Sequence, residues 1–322
     1  MQARDTILGG IALIAATTAA SGAHSAEFGA SPWLKGYTDY FGGVVPPIPG
    51  VYFRSDVYNY SGEVARTIFN GRIDFGVEQN YTATIAALNI VTPWTLFGGV
   101  YSIAIAPTFV AMDVDVALGI PAFTGPLGVR RGGFIVNGGD TNLALGDTVF
   151  APVYLGWNEG NFHWSAALFA LAPTGDYSTS QLANTSLNHW SIMPRFAATY
   201  FDPQTGWQAT GAVVYTWNFE NEATNYLTGD ILNFEGTVTK AFGQFAFGVA
   251  GYGMVQTTGD SGAGARLGAF KSEVYGLGPI ATFTTGPDPT KAATIIVKWY
   301  HEFGAKNAFE GDTVDAAVSF KF

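Results

Sequence analysis

WQATGAVVYTWNFE, residues 207–220, decides the fold. Successive side chains of an extended chain point to opposite faces. Trp207, Ala209, Gly211, Val213, Tyr215, Trp217 and Phe219 therefore share one face, and Gln208, Thr210, Ala212, Val214, Thr216, Asn218 and Glu220 share the other. The apolar face is aromatic at both ends and aliphatic or small in between. A strand buried in a soluble core has no reason to carry Trp at both ends. A strand that crosses a bilayer does, because amphipathic rings settle at the two interfaces around an apolar band.

The same alternation recurs along the chain. Trp190, Ile192, Pro194, Phe196, Ala198 and Tyr200 alternate with Ser191, Met193, Arg195, Ala197 and Thr199. Ile73, Phe75, Val77, Tyr81 and Ile85 oppose Arg72, Asp74, Gly76, Glu78, Asn80, Thr82 and Thr84, and Ile295, Val297, Trp299 and Phe303 oppose Lys298, Tyr300 and Glu302. Extended segments are expected at 51–61, 71–91, 95–113, 146–157, 161–176, 189–201, 207–220, 230–242, 245–257, 271–285, 291–304 and 312–322. Tight Gly-, Asn-, Asp- or Pro-containing turns at 158–161, 202–206, 243–244 and 286–291 alternate with longer polar loops at 114–145, 177–188, 221–229 and 258–270. This rhythm predicts an all-β fold over 51–322: a closed, antiparallel, up-and-down transmembrane β-barrel of about twelve strands, with both termini on the periplasmic side. Residues 79–112 carry no charge, yet Thr, Asn, Gly and Pro interrupt them throughout. They read as two strands around a turn near Thr92–Trp94 rather than as a membrane helix, with a small inward face of Gly98, Ser102, Ala104, Ala106 and Thr108 suited to a narrow lumen.

Composition agrees and excludes alternatives. Only 12% of the 322 residues are charged, against 48% hydrophobic, with 41 Gly, 25 Phe, 15 Tyr and 8 Trp. A soluble domain carries about a quarter charged residues, while a mean hydropathy of +0.18 is too low for a bundle of membrane helices. The formal charge of -10 repels phosphate and excludes a nucleic-acid partner. The absence of Cys removes disulfide scaffolds, thiol catalysis and Cys-ligated zinc. With so few His, no metal site is readable; no cofactor is expected.

Residues 1–26 read as a secretory signal peptide that is removed: Arg4 in the n-region, the uncharged run Thr6–Ala20, and small residues at Ala23 and Ser25 before the cut. Residues 27–50 lack alternation and are rich in Gly, Pro and aromatics, consistent with a periplasmic tail, a plug entering the barrel or a partner-binding segment. Insertion is favoured, since Trp33, Tyr37, Tyr40 and Phe41 are poorly placed in water. At the other end Val314, Ala316, Val318, Phe320 and Phe322 alternate with polar or small residues up to the last residue given. This resembles the C-terminal signal by which bacterial outer-membrane proteins are recognised for insertion, and it implies the barrel-assembly machinery as a partner besides outer-membrane lipid and lipopolysaccharide.

Three motifs stand in a telling order: VPPIPGVYF at 45–53, GDTVFAPVYLGW at 146–157 and LAPTGDY at 171–177. Their order resembles the MetA-pathway phenol degradation family of bacterial outer-membrane proteins, over nearly the whole chain after residue 26. The resemblance implies a barrel associated with the breakdown of aromatic compounds and the admission of hydrophobic substrates. It carries no agreed catalytic or binding residues to transfer.

Inward parity assigns Arg54, Asp56, Arg72, Asp74, Glu78, Arg195, Glu220, Glu235, Lys298, Tyr300 and Glu302 to the lumen, and outward Val149, Val153, Leu155 and Trp157 turn Phe150 and Tyr154 inward. Such charges either line a pore, whose selectivity follows its lining, or pair within a closed interior. Mixed signs argue against a pore for acidic oligosaccharides, and inward aromatics suit apolar solutes. The function expected is passive uptake of small hydrophobic, aromatic compounds across the outer membrane. A general porin and a structural or adhesive barrel remain open. A membrane-embedded hydrolase ranks last: His163–Ser165 and His189–Ser191 each place His and Ser on one face, but no orienting third group or G-x-S-x-G motif accompanies them.

Overall fold

The computed structural model describes residues 31–68, 73–120, 123–124, 130–131, 133–266, 268–286, 288 and 291–322. The signal-peptide segment 1–26 lies outside them. Sixteen strands follow in chain order: β1 (Gly50–Ile68), β2 (Ile73–Leu96), β3 (Gly99–Ala106), β4 (Thr108–Ile120), β5 (Phe123–Thr124), β6 (Arg130–Arg131), β7 (Phe134–Leu145), β8 (Thr148–Glu159), β9 (Phe162–Ala172), β10 (Ser191–Phe201), β11 (Trp207–Asn218), β12 (Ile231–Phe242), β13 (Phe245–Gln256), β14 (Glu273–Thr284), β15 (Ala293–Lys306) and β16 (Glu310–Lys321). Twelve of them close an antiparallel ring, running β1, β2, β3, then β8 through β16 and back to β1. Closure rests on β1 pairing on both sides, from Tyr52↔Lys321 to Glu63↔Glu310 with β16 and along its whole length with β2. A closed ring leaves no unpaired edge among its members.

One flank stands taller than the rest. β3 and β4 form one run interrupted at Pro107, which has no amide hydrogen to give to a ladder, and β7 and β8 form another interrupted at Gly146–Asp147. The ladder carries across both breaks, with Ala86 N donating to Pro107 O (3.2 Å) and Gly146 N to Thr108 O (3.0 Å). β2 pairs with β3 near one end and, over Asp74–Ile85, with β4, which in turn pairs with β7. The expected loop 114–145 is therefore corrected: strand continues to Ile120 and resumes at Phe134. The run Asn137-Gly138-Gly139-Asp140 has turn composition, but a full cross-strand ladder overrides that local preference.

The ring's outer face is apolar. Phe196, Val213, Phe234, Val238, Phe247, Val249 and Val297 are exposed at mid-height, with Trp190 and Trp217 at one rim and Phe162, Trp207, Phe242 and Phe245 at the other. Tight connections cluster at this second rim, where Gly160, Gly206 and Gly243 adopt positive φ. The hairpin between β2 and β3 turns at Phe97–Gly98 (φ 53° and 75°), not at Thr92–Trp94. The expected turn is instead an irregularity within β2, between Val91 and Thr95, where Thr92 Oγ1 donates to Tyr101 O (2.7 Å). Longer connections at 173–190, 219–230 and 257–272 occupy the opposite end.

Candidate functional site

Residues 31–49 rise through the ring as a plug without regular structure. They leave orphan backbone donors inside a closed barrel, and buried polar groups must be paired. Glu235 of β12 meets that demand: it accepts from Trp33 Nε1 (3.0 Å), Gly36 N (2.9 Å) and Thr38 N (2.9 Å). Lys298 of β15 donates to Gly36 O (2.8 Å), lies 3.4 Å from Asp39, and pairs with Asp315 of β16 at 2.9 Å in an ion pair whose geometry makes no hydrogen bond. Arg54 of β1 joins Asp39 (2.7 Å) and Asp56 (2.5 Å). Lys35 pairs with Glu302, which also accepts from Tyr60 Oη (2.8 Å), Tyr252 Oη (2.8 Å) and Gly311 N (3.0 Å). Arg195 donates to Thr38 Oγ1 (3.2 Å) and Gly42 O (2.9 Å). Isolated charges in such a site are costly to desolvate, and partners of opposite sign offset that cost.

Shape completes the latch. Gly36 has φ +71°, and a Cβ there would sit 2.7 Å from Tyr300 Cε2, so only glycine lets the plug pass between Tyr300 and Tyr252. Val45 packs against Gly156 of β8, where a Cβ would lie 2.3 Å away. Trp33 contacts Tyr37 (5.9 Å between ring centroids) and Phe169 (5.5 Å), and Phe41 contacts Tyr40 (4.4 Å) and Phe201 (5.0 Å).

Beside the plug lies a cavity of about 1130 Å³. β11 contributes no residue to it; its wall comes chiefly from β2, β3, β4 and β8, through residues such as Ala83, Ala87, Ala104, Val110 and Ala151. Where β2 and β4 stand tall, their inward faces form an apolar chamber of Phe75, Val77, Val110, Val114, Val116 and Leu118, closed by Ala183 and Leu182 of the 173–190 loop and by Phe309. That loop is tied down by carboxylates: Asp140 accepts from Leu182 N (2.9 Å) and Ala183 N (3.1 Å), and Asp147 from Leu187 N (2.8 Å) and Gly175 N (3.1 Å). Burial raises the Asp147 carboxyl above the usual range, and burial lowers His189.

Of the residues expected in the lumen, Arg54, Asp56, Arg195, Glu235, Lys298, Tyr300 and Glu302 converge on the plug, together with Trp33 and Tyr37, and Tyr154 faces Phe169 (5.8 Å). Tyr40 packs against the cluster around Tyr252 and Tyr300. Three others do not. Glu78 is exposed on the outer face, because the buried residues of β2 are Phe75, Val77, Gln79, Ala83 and Ile85: above the apolar belt the outer face turns polar and parity reverses in meaning. Phe150 points outward onto Trp190 (6.3 Å), since a bulge between Phe150 and Val153 inserts one residue and flips the alternation before Tyr154. Glu220 is exposed in the loop after β11, which ends at Asn218. Asp74 takes a ladder position opposite Gly119, and Arg72 lies outside the described residues. Val314, Ala316, Val318, Phe320 and Phe322 follow the outward parity of β16, and Phe53, Phe320 and Phe322 form a ring cluster at the tight-turn rim.

Sequence reasoning missed Lys35, Asp39 and Asp315. The first two are the sole charges of 31–49, and charges isolated in an aromatic, Gly-rich segment were the available signal. His189 and Ser191 lie 3.3 Å apart, but both are buried off the cavity, and Ser191 Oγ donates to Asn218 Oδ1 (2.8 Å) rather than serving as a poised nucleophile.

Comparison with solved structures places the fold. An outer membrane channel from Pseudomonas putida F1 superposes with a TM-score of 0.59 at 12% identity, over 88% of this chain and 99% of that one. A Pseudomonas aeruginosa FadL homologue (TM-score 0.40, 8% identity, 84% and 89% covered) and the CymD monoaromatic hydrocarbon channel (0.35, 8%, 85% and 89%) are more distant. Comparison with curated protein sequences found no match. The model of one family, described as "Putative MetA-pathway of phenol degradation", matches residues 59–318, from the middle of β1 to near the end of β16, and the chain belongs to that family.

Proposed function

We propose that this protein is an outer-membrane channel for the passive uptake of small hydrophobic, chiefly aromatic compounds. The observation that carries the proposal is the apolar cavity running beside a plug that is latched to the opposite wall. Most of the cavity wall is apolar, and an apolar solute there exchanges water for Ala, Val, Met and aromatic surface. The description of the family, phenol degradation, points to the same chemistry. In this reading the exposed aromatic rims sit at the two membrane interfaces, the tight turns face the periplasm and the long loops the exterior. Residues 1–26 direct export, and the outward aromatics of β16 serve the assembly machinery and then face lipid.

The test is uptake by cells lacking the gene and by cells re-expressing it, over a panel of aromatic hydrocarbons, phenols, alkanes and sugars. Entry of aromatics should fall on deletion and recover on re-expression, with sugars unaffected. Unchanged aromatic entry, or ion and sugar conductance by the purified protein in planar bilayers, would replace this reading with a structural barrel or a general porin respectively.

A further inference from the structure

On the inward face of β2, Gln79 is a cavity-lining amide to which no described residue is hydrogen-bonded. On β2 the inward series Phe75, Val77, Gln79, Tyr81, Ala83 and Ile85 places Gln79 in the middle of the chamber, opposite Val114 on β4 and Gly62 on β1. Gln79 is 6% exposed and lines the cavity. No hydrogen bond joins its side-chain amide to any described residue, while the nearby buried amide of Asn184 is fully engaged, accepting from Ser178 N (2.7 Å) and donating to Ser178 O (3.1 Å) and Gln181 O (3.1 Å). Its amide atoms are not among the fully enclosed polar atoms of the protein and are reached from the cavity, where a polar group in apolar surroundings is favoured by a hydrogen-bonding partner. Its partner must come from what occupies the chamber.

We propose that Gln79 is the polar anchor of a ligand subsite, and that it selects neutral single-ring compounds carrying one hydroxyl group over the corresponding hydrocarbons. The inference rests on the uptake reading above and adds a discriminating residue to it. A hydroxyl both donates and accepts, so it can pair with either the Oε1 or the Nε2 of the amide. A carboxylate would need a cation, and the nearest one on the plug, Lys35, is already paired with Glu302. The ring of such a ligand lies against Met112 and the valines, where a thioether and branched chains pack well on an aromatic face. A site built to hydrogen-bond a hydroxyl discriminates against the analogue lacking it, because the protein group is then left unpaired.

Phenol and toluene are the probes, since hydroxyl and methyl differ little in size. Binding of each to the full-length protein in detergent micelles is measured calorimetrically, with protein-free micelles correcting for partition, for wild type and Gln79→Met. Wild type should prefer phenol. The Gln79→Met protein should bind phenol about three- to tenfold more weakly, the loss of one neutral hydrogen bond, and toluene equally or more tightly. Retained toluene binding and heat-modifiable gel migration confirm an intact chamber in the variant. Should Gln79→Met not fold, Gln79→Asn, which keeps the amide but shortens it, should weaken phenol and spare toluene. Equal affinities in wild type, or parallel changes for both compounds in the variant, would overturn the inference and leave the uptake reading standing. Failure of wild type to bind either compound would sink both.

Discussion

The two sides of the lumen are built on the same alternation and contain opposite chemistry. Along β10, β12, β15 and β16 the inward positions hold Arg195, Glu235, Lys298, Glu302 and Asp315, each engaged by the plug or by a neighbour that the plug engages. Along β2, β4 and β8 they are chiefly alanine, valine, methionine and tyrosine, with the amides of Gln79 and Asn89. The contrast teaches that the plug is not a generic stopper. Its backbone donors and its two charges require a polar wall, and it leaves the apolar wall uncovered. One side fixes the segment, and the other remains available to a solute.

The strongest way to break this comparison is Lys298→Met. Lys298 is 1% exposed and neutralises Asp39 and Asp315 from the centre of the latch. Removing it leaves the buried Asp315 without its cation, while Asp39 keeps Arg54, at a cost of about 3–5 kcal/mol. Loss of heat-modifiable migration at a lower temperature, together with raised conductance in planar bilayers as the plug loosens, is the expected outcome. Unaltered conductance and melting would mean that the latch does not hold the plug.

Ala104→Phe sharpens the comparison from the other side. Ala104 faces the cavity and touches none of the charged groups. A ring there fills existing space, so stability should change by about 1 kcal/mol or less, while uptake of aromatics should fall at least tenfold. Aromatic entry at the wild-type rate would show that solutes do not use this wall.

The smallest effect is expected outside the lumen. Glu78 stands directly across the ladder from Glu63 on one side and Asp115 on the other, and like charges opposite one another are unfavourable. Glu78→Gln should therefore stabilise the tall flank by about 0.2–0.5 kcal/mol, with the gain shrinking at high salt. A denaturant titration at two ionic strengths measures it. Destabilisation would place Glu78 back in the lumen, where Gln could not replace a paired carboxylate.

The barrel, its approximate strand count and the polar face of the ring were legible at residues 190–201, 207–220, 295–303 and 314–322, because a period of two combined with terminal aromatics has few other physical causes. Tight turns were legible too, since positive φ calls for Gly or Asn and the sequence supplies Gly160, Gly206 and Gly243. Only the tertiary structure decided which face is inward where the chain leaves the apolar belt. Alternation alone cannot say whether Val77 or Glu78 faces the interior, because that depends on what lies outside the wall. Nor can it register a bulge such as the one that separates Phe150 from Tyr154, which costs one residue and no change of composition. The latch was hidden for a related reason: Lys35 meets Glu302 across 267 residues of chain. Local sequence fixes periodicity, but the pairing of buried charges is settled only when closure of the ring brings distant strands around a common interior.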